Sequence, residues 1–124
     1  MTIATASQIF NYMVEKRLDA TFRALADPTR RGMLAKLALG EKSIGELAEP
    51  FAMSFAGASK HVKVLEDAGL ISRRKAGRTH LISIEARPLE EAERWLRQWE
   101  KFWSRRLDRL EALIERDKKE KKNG

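Results

Sequence analysis

Apolar residues recur at the three- and four-residue steps of an α-helix over most of this chain, and they alternate with polar ones only between about residues 71 and 84. Ile9, Met13, Leu18, Phe22 and Leu25 follow that helical spacing and predict a first helix over residues 8–26. Asp27 and Pro28 end it and start a second, Asp27 as the cap and Pro28 at the first helical position. That helix, about residues 29–39, turns Met33, Leu34 and Leu37 inward and closes at Gly40. Ser43 caps a short third helix carrying Ile44, Leu47, Ala48 and Phe51, and Ser54 caps a fourth. Gly69 is placed for a left-handed helix end. Residues 71–75 and 79–84 then read as two strands joined by a turn at 76–78. Arg87 and Pro88 open a last, long helix to about residue 116. The expected fold is mainly α with a small β-hairpin. One domain covers residues 1–115, and the basic tail over 116–124 is expected to be disordered.

The third and fourth helices, joined by a tight turn, form a helix-turn-helix unit. Turning 100° per residue along the fourth helix puts Phe55, Ala58, Val62, Leu65 and Gly69 on one side and centres Ala56, Lys60, Lys63 and Asp67 on the other. Small and basic residues therefore occupy its first two turns. A helix of this kind enters a major groove N-terminus first, with small residues allowing close approach and lysines meeting phosphates or base acceptors. A solvated amphipathic helix would carry the same lysines. The residues beyond this helix favour the groove: Arg73, Arg74, Lys75 and Arg78 crowd the hairpin, where their charges repel one another unless something anionic lies nearby, and a sugar-phosphate backbone is the natural partner.

The location of the net charge of +7 agrees with this. Residues 54–80 carry +4 and residues 116–122 carry +3, so everything else balances. Such concentration is a footprint for double-stranded nucleic acid rather than for general solubility. Arg30 and Arg31, at the start of the second helix, could also touch phosphates, although a solvated pair is the commoner arrangement.

The last helix carries Leu89, Ala92, Leu96, Trp99 and Trp103 at alternating steps of three and four, with Leu107, Leu110 and Ile114 beyond. A helix of about 29 residues is roughly 43 Å long, more than so small a domain covers alone. Its stripe is expected to pack on the same helix, or on the first helix, of a second copy. Phe10, Met13, Leu89, Ala92, Leu96, Trp99, Trp103 and Leu110 are the expected dimerisation residues.

Catalytic and metal chemistry find little footing. The chain has no cysteine, and its only histidines are His61 and His80. No glycine-rich phosphate loop and no nucleophile-elbow serine occur. Neither a disulfide nor a thiolate site can form, and no metal or other cofactor is expected. No apolar run approaches a membrane span and no signal peptide precedes the first helix, so a cytoplasmic protein is expected.

Four stretches together resemble the ArsR-type winged helix-turn-helix transcriptional regulators of bacteria and archaea: LADPTRRGMLAKL at 25–37, IGELAEPFAMS at 44–54, SKHVKVLEDAGLISRRKAGRTH at 59–80 and RPLEEAERWL at 87–96. The resemblance covers roughly residues 15–115 and is most specific in its middle third. It implies a winged helix-turn-helix with long terminal dimerisation helices, acting as a homodimeric repressor on a palindromic operator. Ala58 stands where the family usually has a branched apolar residue, and Gly57 lies inside the helix, two departures that leave the expected fold intact and bear on the family's base preferences. The DNA-binding residues expected are Ser54, Ala56, Gly57, Ser59, Lys60, His61 and Lys63 on the fourth helix and Arg73, Arg74, Lys75 and Arg78 on the hairpin. Whether a small-molecule inducer acts on it is left open. The competing reading is a winged-helix protein-interaction module with an incidental basic face.

Overall fold

Side-chain caps decide where the helices begin. The computed structural model describes residues 5–123, and in it α1 spans Ala6–Leu25, behind a Thr5 hydroxyl that accepts from the Gln8 N–H. The Gln8 side chain accepts from the Thr5 N–H in return. This capping box starts the helix two residues before the apolar pattern does. Helix α2 spans Pro28–Leu37, with the Asp27 carboxylate accepting from the Arg30 N–H at 2.9 Å. It stops short of Leu39, which is 83% exposed and gives the helix nothing to bury. Helix α3, Ile44–Ala48, has a second capping box between Ser43 and Glu46. Pro50, lacking an N–H, passes α3 into a 3₁₀ turn over Glu49–Phe51. Ala52 then takes a left-handed conformation, φ 49°, and the Ser54 hydroxyl accepts from the Gly57 N–H to open α4, Phe55–Asp67.

Among the described residues, those up to Ala92 form one unit and those from Glu93 onward a second. The first has a continuous core, in which Met33, Leu37, Leu47, Ala58, Val62, Leu65, Leu70 and Ile82 are almost wholly removed from water. At about 25 cal/mol per Å², this shared burial stabilises helices otherwise too short to persist alone. The inward face expected of α4 is correct at Ala58, Val62 and Leu65 and wrong at Phe55, which is 64% exposed. Phe55 is the first residue of its helix and lines a surface groove instead of entering the core.

Gly69, at φ 75°, ends α4, with its N–H donating to the Glu66 carbonyl and that of Leu70 to the Leu65 carbonyl. The hairpin follows as β2, Ile71–Ala76, and β3, Thr79–Ile84, paired antiparallel with Arg73 opposite Ile82 and Ala76 opposite Thr79. A third strand was not expected. Lys42–Ser43, β1, pairs with the other side of β3 to give the order β1-β3-β2. Two residues are too few to show alternation, so the sequence carries no sign of it.

Helix α5 runs Arg87–Asn123 and belongs to both units. In the first, Ala92 is buried and Leu89 packs against the core, so these two expected dimerisation residues serve their own domain. In the second, Leu96, Trp99, Trp103, Leu107 and Leu110 are all more than 40% exposed. Trp99 lies 6.2 Å from Trp95 and 6.1 Å from Phe102, ring centre to ring centre. Where a disordered tail was expected from residue 116, the helix continues. Lysine and glutamate are good helix formers, neither glycine nor proline interrupts before Gly124, and Lys121 meets Asp117 one turn back at 3.5 Å. No helix among the described residues is long and apolar enough to cross a membrane.

Candidate nucleic-acid interface

The interface is built on α4, whose buried stripe fixes which residues face outward. With Ala58, Val62 and Leu65 inside, Ala56, Lys60, Lys63 and Asp67 are exposed, as the 100° rule requires. Ser54 is committed to its cap, and Gly57 lies over it, so close that a Cβ there would come within 3.3 Å of the Ser54 hydroxyl. Ser59 is half-buried beside them. Lys63 reaches one turn on to Asp67, Nζ to Oδ1 2.7 Å, and that carboxylate raises the lysine pKa. Lys60 has no ion pair among the described residues, leaving its charge open to a partner.

His61 is placed differently from its expected role. Its Nδ1 lies 3.8 Å from an Asp27 oxygen and 3.5 Å from an Arg30 nitrogen, a half-buried cluster where α4 meets the start of α2. Its partners are internal. The same holds for the arginine pair at 30 and 31. Arg30 donates from Nε to the Ala24 carbonyl at 2.7 Å and from Nη2 to that of Arg23 at 3.1 Å, and Arg31 donates to the Leu25 carbonyl at 2.7 Å. Two cations thus close the C-terminal end of α1, where unpaired carbonyls and the helix dipole favour positive charge. The hydrogen bond from the Arg30 N–H, with the nearby Arg30 guanidinium, lowers the Asp27 pKa.

The hairpin resolves its charge repulsion partly from within. Arg74 forks onto Glu41 at 3.1 and 2.7 Å, and the Ser83 hydroxyl donates to the same carboxylate at 3.0 Å. These bonds, that from Arg74 foremost, lower the Glu41 pKa. Arg73 meets Glu66 of α4 at 3.1 Å, tying the first strand to the helix. The expectation that all four cations wait for an outside anion is therefore corrected for these two. Sequence spacing hid it, because Glu41 is 33 residues from Arg74 and becomes its neighbour only once β1 joins the sheet. Lys75 and Arg78 are exposed and have no ion pair among the described residues. Gly77, at φ 64°, makes the two-residue turn that projects Arg78.

A shallow groove of about 200 Å³ runs between the start of α4 and the hairpin, lined by Ser43, Ile44, Gly45, Phe55, Arg78, Thr79 and His80. Among the described residues, Lys60, Lys75 and Arg78 are thus three cations without an ion pair, on a surface that also carries the small side chains of Ala56 and Gly57. That combination suits a polyanion with room for close approach. No group of three or more histidine, aspartate and glutamate side chains suited to a metal ion occurs among the described residues.

Comparison with known proteins bears on the same stretch. Residues 25–74 match a family described as a helix-turn-helix domain. The HTH-type transcriptional regulator Rv2034 of Mycobacterium tuberculosis is 35% identical over 97 residues, covering 78% of this chain and 88% of that protein. The transcriptional repressor SdpR of Bacillus subtilis is 32% identical over 79 residues, 64% of this chain and 88% of its own. Among solved structures, that of an ArsR family transcriptional regulator, RHA00566, superimposes with a TM-score of 0.68 at 40% identity, covering 73% of this chain and 93% of that one. An ArsR-like transcriptional regulator from Rhodococcus sp. RHA1 gives a TM-score of 0.64 at 28% identity, covering 80% and 93%.

Proposed function

The chain belongs to the ArsR-type family of winged helix-turn-helix transcriptional regulators, and from that premise we propose that it is a repressor that binds a palindromic operator as a homodimer. The observation that carries the DNA reading is the exposed face of α4, with Ala56 and Lys60, beside a hairpin with Lys75 and Arg78, three cations that have no ion pair among the described residues. Helix α4 is the element that enters the major groove, and the hairpin is the wing that meets the backbone. Lys60 supplies a base or phosphate contact from the middle of the helix, and Ala56 and Gly57 permit the approach. Lys63 contributes after releasing Asp67.

One such helix spans only a few base pairs, and two of them about 34 Å apart on one face of the duplex double the site. Apolar surface for that pairing is present on α1, where Ile9, Phe10, Tyr12 and Met13 are each about half exposed or more, and on the second unit of α5. SdpR is named a repressor, and a structural neighbour from Mycobacterium bovis, 22% identical, is described as a homodimeric winged helix-turn-helix domain. Both names favour this reading.

Selection of bound sequences from a random duplex pool is the test. An enriched palindrome with two similar half-sites is the expected result. A folded, dimeric protein that enriches nothing would overturn the reading and favour a protein-interaction module.

A further inference from the structure

We propose that Phe55 reads the C5-methyl group of a thymine in each half-site, which makes it a specificity-determining residue of the operator complex. The inference rests on the reading that α4 enters the major groove. Phe55 is the first residue of α4, immediately after the Ser54 cap, and is 64% exposed although the helix buries Ala58, Val62 and Leu65 completely without it. The core has no use for the ring. Its neighbours in the groove are Ser43, Ile44 and Gly45 on one side and Arg78, Thr79 and His80 of the wing on the other, so the ring stands beside the wing residues that would face DNA.

The chemistry of the first turn narrows what it can recognise. From Phe55 through Ala58 no side chain carries a hydrogen-bonding group, and the Ser54 hydroxyl is engaged with the Gly57 N–H. The leading end of a recognition helix is the part that meets base edges. Here its side chains can offer them only carbon. Among the features that base pairs present in the major groove, the thymine methyl is the one that takes an apolar contact; the others are hydrogen-bond donors and acceptors. Ala56, exposed one residue further on, carries a second methyl on the adjoining face of the same turn. Against any other base the ring would cover a polar edge and leave it unsatisfied, so the contact discriminates as well as attracts.

The experiment uses the full chain and the duplex selected from the random pool. Each thymine is replaced in turn by deoxyuridine, which removes only the methyl, and affinity is measured by gel shift for wild type and for Phe55→Ala. One thymine per half-site is expected to lose about fourfold in wild-type affinity on replacement, the worth of one buried methyl. Phe55→Ala, verified as folded by its helical circular dichroism, is expected to bind more weakly and to ignore that replacement. Wild-type protein indifferent to every replacement would overturn the inference while leaving the regulator reading intact. So would a Phe55→Ala protein as methyl-sensitive as wild type. A pool that enriches no sequence would overturn the regulator reading, and the inference with it.

Discussion

Ala52 holds a left-handed conformation that costs a residue with a Cβ about 1–2 kcal/mol, and glycine escapes that cost while losing somewhat more entropy on folding. Ala52→Gly is therefore expected to raise stability by about 0.5–1 kcal/mol, seen as a higher urea midpoint at unchanged slope. A lower midpoint would show that the Ala52 methyl has a packing role. Gly32 is the opposite case. A Cβ there would lie 2.7 Å from a Phe51 ring carbon, so Gly32→Ala is expected to cost about 1–3 kcal/mol as overpacking, and an unchanged midpoint would mean that the ring moves freely. Neither constraint is legible in the sequence, because each depends on how the turn after α3 lies. Lys60 and Lys63 sharpen the point. They share one face and look equivalent by spacing, yet only Lys63 is held by Asp67. Lys60→Ala is expected to weaken operator binding by about 1–3 kcal/mol where the lysine reads a base, and Lys63→Ala by less. Equal losses in gel-shift titrations would show that the Asp67 pair opens on DNA.

At the scale of elements, caps and periodicity made the helices legible. Asp27 with Pro28, Ser43 and Ser54 each start a helix where they were expected to, because a cap acts through the next three residues. The wing's hairpin was legible for the same local reason. Its third strand, its Glu41 anchor and the outward turn of Phe55 were not, since all three depend on tertiary placement. The anchor changes what the wing should do. Each phosphate contact adds about 0.9 to the magnitude of the salt slope of log affinity. Arg78→Ala is expected to flatten that slope by about twice this in a dimer, whereas Arg73→Ala, whose guanidinium already holds Glu66, leaves it nearly unchanged. Identical slopes for wild type and Arg78→Ala would mean that the wing tip does not touch the backbone. The anchor also sets a pH dependence. Asp27, Glu41 and Glu46 all have lowered pKa values, through the Arg30 N–H, Arg74 and the Ser43 cap respectively. A depressed carboxylate contributes stability that is present above its unfolded pKa and lost as pH falls through the folded one. The melting temperature is expected to hold down to roughly pH 5 and to fall below about pH 4, with Glu41→Gln showing a shallower fall. An identical acid profile for that variant would remove the Glu41 pair from the account.

The whole molecule poses the question of what covers its exposed apolar surface. Leu89 and Ala92 are used by the first unit, so the stripe left for a partner begins at Leu96 and runs through Trp99, Trp103, Leu107 and Leu110, with Phe10 and Met13 exposed on α1. A lone helix gains nothing from holding that many large apolar side chains in water, whereas a second copy could bury them. Trp99, near the middle of the stripe, is 44% exposed and packs on the neighbouring rings of its own helix, so a change there leaves the first unit's core intact. In a dimer the same position would be covered. A lysine would then be buried without a counter-charge, at a cost of several kcal/mol unless the interface opens. Trp99→Lys is therefore expected to stay helical, to be mostly monomeric at micromolar concentration where wild type is dimeric, and to bind the selected palindrome far more weakly. Sedimentation of the two proteins side by side, followed by gel shift, measures both effects. A wild-type monomer would show that the stripe serves some partner other than a second copy. A variant that still dimerises and binds normally would place the dimer contact elsewhere, with Phe10 and Met13 of α1 the next positions to change.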